Sequence, residues 1–120
     1  RIKAVAVLDL GGTQTFSPES LAAITTPMLV IGAPKDVQES LDLDRESRKL
    51  VSMLPEETTT YMEPASLSHF DFLGTCTEKA IPILEDEVPG DGYICFDGTQ
   101  ERIEDHAIVS SALIDFFAKH

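Results

Sequence analysis

Two stretches decide the fold class: Ile2-Lys3-Ala4-Val5-Ala6-Val7-Leu8, closed by Asp9, and Met28-Leu29-Val30-Ile31, opened by Pro27. Both are short, almost wholly apolar and rich in small or β-branched residues. That is the pattern of strands buried on both faces of a parallel sheet. Gly11-Gly12 breaks the first run. Ser17-Pro18-Glu19-Ser20 then sets an N-cap before a proline at the first helical position, which predicts a short helix through Ile24. After the second run the spacing predicts a helix near Leu41 to Leu54. Its acids (Asp42, Asp44) precede its bases (Arg45, Arg48, Lys49), in line with the helix dipole. Leu43, Leu50 and Leu54 fall on one face, and Pro55 ends the helix. Thr58-Thr59-Thr60-Tyr61-Met62 is a third strand by β-propensity.

From Ala65 to Asp97 the chain reads as mostly irregular, with Pro82, Pro89 and several glycines. A connection of that length is usually functional or held by something. The last helix is predicted to begin near Thr99 to Glu101 and to run to about Lys119, burying Ile103, Ala107, Leu113, Ile114 and Phe117. Strands alternating with helices imply an α/β fold with about three parallel strands and flanking helices. Three strands are few for a sheet buried on both faces, so residues 1–120 read as the second half of a doubly wound domain. The opening in mid-strand, Arg1-Ile2-Lys3, suggests a fragment or a processed chain, and no signal peptide is seen there.

The 120 residues carry 9 basic and 21 acidic side chains, a net charge of −12. Phosphate binding needs a basic surface, so nucleic acid is not an expected partner, and an anionic membrane surface is disfavoured. No apolar run approaches the length of a membrane span. Cys76 and Cys95 flank the acidic stretch Glu85-Asp86-Glu87. A bond between them would close a loop of about twenty residues, worth roughly 3 kcal/mol, and two buried free thiols are the alternative. A bond would favour a periplasmic or secreted setting.

Chemistry in a parallel sheet collects at the carboxyl ends of the strands. Asp9 follows the first strand, Asp36 the second, after the turn Gly32-Ala33-Pro34-Lys35, and His69 the third. An acid followed by a histidine is the later part of the Ser-Asp-His order. His69 is the candidate general base, since histidine is the side chain most often used to take and return a proton in such chemistry. Asp36 is the candidate acid that fixes its tautomer, with Asp9 as the rival.

These residues in this order resemble the C-terminal part of α/β-hydrolases, in particular the dienelactone hydrolase-like and cutinase-like esterases, and are also similar to platelet-activating-factor acetylhydrolases. Arg1 to Asp9 looks like the sixth strand of those enzymes. Ile24-Thr25-Thr26-Pro27-Met28-Leu29-Val30-Ile31-Gly32 with Asp36 looks like the seventh strand and the triad acid. Ser68-His69-Phe70-Asp71-Phe72-Leu73 looks like the histidine segment. Cys95, Asp97, Arg102 and His106, ahead of Phe116-Phe117, look like the tail of secreted or periplasmic members. The likeness covers essentially the whole chain. The first five strands, the nucleophile elbow and the oxyanion hole have no counterpart here, and no G-x-S-x-G occurs.

The resemblance implies a serine hydrolase acting on a small-molecule carboxylic ester. Asp36 and His69 would come from this chain, and the serine from an N-terminal half on a missing upstream segment or a second chain. No cofactor is implied. Phe70 is a candidate for lining the acyl pocket, with Phe72 and Leu73 beside it. Asp71 reads as a local turn acid. A third ligand to make a metal site with His69 and Asp71 is not evident. His106 reads as a hydrogen-bonded packing residue, and Arg102 as the partner of Asp97 or Glu85. A different class of function is a non-catalytic α/β interaction or structural domain whose open strand edge invites pairing with another chain.

Overall fold

A computed structural model describes residues 1–35, 42–95 and 98–120. The chain divides into two compact units: Arg1–His69 with Ala112–His120, and Phe70–Ser111.

The first unit is built on three parallel strands in the order β1 (Val5–Leu8), β2 (Met28–Ile31), β3 (Thr59–Met62). Val5 pairs with Met28 and Leu8 with Ile31, while Met28 pairs with Thr59 and Ile31 with Met62. β2 therefore has a neighbour on each side, and all four of its residues are buried. Strand alternation sends Met28 and Val30 to one face and Leu29 and Ile31 to the other, which explains a continuous apolar run. β1 departs from the expectation of two-sided burial: Val5 to Val7 are half-buried and Leu8 is 37% exposed. It has one strand neighbour among the described residues, so its outer side lacks the cover that β2 enjoys.

Helix α1 (Pro18–Ala22) starts as anticipated, with the Ser17 side chain accepting from the Ser20 amide. Helix α2 (Ser47–Met53) is shorter than the predicted span, and Leu41 lies outside the described residues. Leu21 from α1 and Leu50 and Leu54 from the α2 region close over Met28 and Val30 in one core, so both helices lie on the same face of the sheet. At the end of β3, Glu63 receives a fork from Arg48 (Nε–Oε2 3.0 Å, Nη2–Oε1 2.9 Å) and the Tyr61 hydroxyl at 2.5 Å. The Arg48 bonds, then the Tyr61 bond, hold the Glu63 carboxyl below its usual range, and burial followed by Glu63 pushes the Tyr61 phenol up.

The second unit corrects the reading of Ala65 to Asp97 as mostly irregular. That stretch contains a 3-10 turn (His69–Phe72), helix α3 (Ala80–Glu87) and a further 3-10 turn (Asp91–Cys95). Pro82 hid α3 from the sequence. It is the third residue of the helix, where the missing N–H has no intrahelical partner to lose. Glu85 turns back to accept from the amides of Gly90 and Gly92, each at 2.9 Å. A Cβ at Gly92 would lie 2.5 Å from the Glu85 carboxylate, which would have to shift to admit it. Cys76 and Cys95 form a disulfide with Cα atoms 5.8 Å apart.

Helix α4 (Gly98–Lys119) has the expected extent but buries a different stripe. Arg102, Asp105, Val109 and Phe116 are buried, while Ile103, Ile114 and Phe117 are 48%, 68% and 48% exposed. The two stripes are offset by one residue, about 100° of helix rotation. Two of the four buried positions are charged, so hydropathy selected the wrong seam. Among the described residues no helix is long and apolar enough to cross a membrane.

Candidate active site

Three segments leaving the carboxyl ends of the strands meet in the first unit. Asp9 follows β1 directly. Its amide extends the sheet ladder by donating to the Ile31 carbonyl at 2.7 Å. Its φ of +45° is the one left-handed value among the described non-glycine residues. Aspartate tolerates this region better than most side chains, yet the conformation still costs about 1–3 kcal/mol and persists where the surroundings enforce it. Here they do. The carboxylate is 4% exposed, Oδ1 accepts the Ala33 amide at 2.9 Å, and Oδ2 meets His69 Nδ1 at 2.8 Å.

The segment after β2 supplies that amide. Gly32 donates to the Met62 carbonyl at 2.9 Å, and Lys35 donates to the Leu67 carbonyl at 2.9 Å. Leu67 is fully buried two residues before His69, so the third segment is tied to the second. A Cβ at Gly32 would lie 2.9 Å from the Tyr61 hydroxyl and 3.0 Å from Leu43 Cδ2, so a larger residue there would make those side chains shift. The His69 side chain is 36% exposed, its carboxylate partner 4%.

A carboxylate on Nδ1 has a definite consequence. It requires a proton on Nδ1, which leaves the lone pair of the neutral ring on Nε2. The same carboxylate stabilises the imidazolium once Nε2 takes a proton. The Ala33 bond holds Asp9 in place and leaves one oxygen for the histidine. An imidazole held in this way can accept a proton at Nε2.

Asp36, the expected acid, lies outside the described residues. Among the described acids it is the rival, Asp9, that sits on His69. Both residues were visible as the polar ends of apolar runs; the positive φ that aims Asp9 was not.

Phe70 is half-buried and meets Tyr93 edge-on at 5.2 Å between ring centroids. Leu73 is 51% exposed. Asp71 lies in the 3-10 turn His69–Phe72, is fully buried and faces Arg102 Nε at 3.4 Å. Arg102, itself 1% exposed, also donates to the carbonyls of Gly74 (3.1 Å) and Ile94 (2.5 Å). The anticipated partner Glu85 is engaged with the glycine amides, and Asp97 lies outside the described residues. His106 Nε2 lies 2.8 Å from the Leu73 carbonyl, a structural bond as expected, although the ring is half-buried rather than on the buried stripe. Among the described residues no group of three or more His, Cys, Asp or Glu side chains could hold a metal ion.

Comparison with protein-family models, curated proteins and solved structures finds no match to this chain.

Proposed function

We propose that this chain supplies the acid and the base of a serine hydrolase that cleaves carboxylic esters, with Asp9 in the role first assigned to Asp36. The observation that carries the reading is the buried Asp9 carboxylate, anchored on the Ala33 amide and bonded to His69 Nδ1 at 2.8 Å. The serine lies on the N-terminal half of the hydrolase domain, in an upstream segment or a second chain, which adds its strands to the outer edge of β1.

His69 Nε2 takes the serine hydroxyl proton as the oxygen attacks the ester carbonyl carbon. Asp9 stabilises the resulting imidazolium. Nε2 then delivers that proton to the alkoxide oxygen as the carbon–oxygen bond to it breaks, leaving an acyl-serine and a free alcohol. Water, deprotonated by the same nitrogen, attacks the acyl-serine. The proton returns to the serine oxygen as the carboxylic acid leaves. Neither the substrate's acyl group nor its alcohol is specified by these residues; Phe70 is the nearest candidate in sequence for an apolar wall. The disulfide supports an oxidising compartment, periplasmic or extracellular.

The test is a fluorophosphonate serine probe applied to the complete protein, read by intact mass. One adduct on a serine outside these 120 residues is expected, and His69→Ala should slow both labelling and ester turnover by several orders of magnitude. Equal labelling of wild type and His69→Ala, or no adduct at all, would favour the non-catalytic interaction domain instead.

A further inference from the structure

We propose that the cleft between the segment after β1 and helix α2 binds a small organic anion with an apolar body, a carboxylate carried on an aliphatic or aromatic group. The proposal is independent of the reading of His69. The cleft lies wholly within the sheet unit and has a volume of about 420 Å³. Small-molecule sites run from roughly 300 to 1,000 Å³. Phe16 and Pro18 line one wall, and Arg45, Lys49 and Met53 the other. Phe16 is 43% exposed and Met53 half-buried, so both walls offer apolar surface. Arg45 and Lys49 are exposed, and neither makes an ion pair among the described residues. Asp44, also in the lining, does not neutralise them: its Oδ1 accepts from Arg48 Nη1 at 3.0 Å, and Arg48 is itself forked onto Glu63. Two cations thus stay without a carboxylate in a chain of 21 acidic and 9 basic side chains.

An anion in the cleft would relieve the repulsion between those cations. The net charge of −12 does not forbid it, because exposed charges beyond about 8 Å are screened at physiological ionic strength. An inorganic ion would leave Phe16, Pro18 and Met53 unused, and a neutral chain would leave the cations unpaired; an amphipathic anion satisfies both. The walls are also joined in advance. Thr13, a third lining residue of the first wall, is fully buried. Its amide donates to Glu46 Oε2 at 2.7 Å and its hydroxyl to the Glu46 carbonyl at 3.1 Å, two bonds across 33 positions. Glu46 is 5% exposed, and its carboxylate is directed at that amide rather than at the cleft cations. The Phe16 amide closes the 3-10 turn Thr13–Thr15 on the Thr13 carbonyl at 3.2 Å, and Ser17 caps α1 directly after it. Walls fixed in this way leave little ordering to be done on binding, which favours affinity.

The experiment is a titration of the complete protein, labelled with 15N, with sodium octanoate, followed by amide chemical shifts. Saturable shifts centred on residues 13–18 and 44–53 are expected, with an affinity that falls as salt is raised. Acetate carries the charge without the apolar body and 1-hexanol the body without the charge; each should bind at least about tenfold more weakly than octanoate. Arg45→Gln/Lys49→Gln should weaken octanoate by about tenfold and leave 1-hexanol unchanged, whereas Phe16→Ser should weaken both. All three side chains are exposed, so the variants keep the fold. Undiminished octanoate binding in the double variant overturns the proposal, as do shifts that never saturate. Shifts centred on His69 would make the anion a product in the proposed active site and overturn the cleft as its binding place. Absence of shifts in the cleft, covered by a segment outside residues 1–120, overturns it too.

Discussion

The two units of this chain are held together by different physics. The sheet unit buries aliphatic side chains: Val30, Ile31, Leu50 and Leu67 are at most 1% exposed. The second unit buries a guanidinium, two carboxylates (Asp71 and Asp105), a disulfide cysteine and Val109, and its helix α3 has no buried residue at all. One region is stabilised mainly by removing apolar surface from water, a non-directional effect that tolerates local exchange. The other relies on directional and covalent links, which fail when one partner is removed. His69 lies at the junction in sequence: it takes its acid from the sheet unit and opens a turn that continues into the other.

The comparison can be broken first at the acid. Asp9→Asn should lower ester kcat of the complete enzyme by about 10⁴-fold, the effect of misassigning the histidine tautomer. Asp36→Asn should leave kcat within a few-fold, measured with the same substrate; the reverse pattern would return the acid to Asp36. Next in size is the apolar core. Leu50→Ala removes a side chain that is 1% exposed and should cost about 2–5 kcal/mol in denaturant unfolding. Its hydrogen-exchange signature should fall mainly on β1 to β3. Reduction of the disulfide sharpens the contrast from the other side: opening a 19-residue separation should cost roughly 3 kcal/mol. Exchange should accelerate first in residues 76–95, and equal acceleration in β2 would contradict the division of labour.

The smallest expected effect is electrostatic. Glu63 has its folded pKa lowered by Arg48 and Tyr61, so its contribution is present above its unfolded pKa and is lost as pH falls through the folded value. The site is partly exposed, so the effect should stay under about 1 kcal/mol. Stability curves of wild type and Glu63→Gln should therefore differ near neutrality and converge in acid; a gap that persists in acid would assign the effect to packing.

The difference between the units also explains what could be read in advance. β2 was legible because a strand buried on both faces is apolar at every position, and α1 because Ser17 and Pro18 are local signals. α3 was hidden by Pro82, which a first turn tolerates. The face of α4 was misread because its buried positions include Arg102 and Asp105, whose burial depends on partners elsewhere. His69 was singled out from its place after the third strand. The choice between acids went by spacing and loop context, which favoured Asp36, a residue outside the described ones.

By itself, the sequence determined the order of the three strands, the helices on either side of the second of them and the long last helix, and it singled out His69 with two candidate acids. These follow from composition over a few neighbouring residues, where periodicity and turn chemistry act. Only the tertiary structure decided that Asp9 meets His69 across 60 positions, and that Arg102 meets Asp71 across 31. Such pairings depend on backbone angles and on how loops close, and a left-handed φ at Asp9 or an arginine turned inward leaves no trace in local pattern.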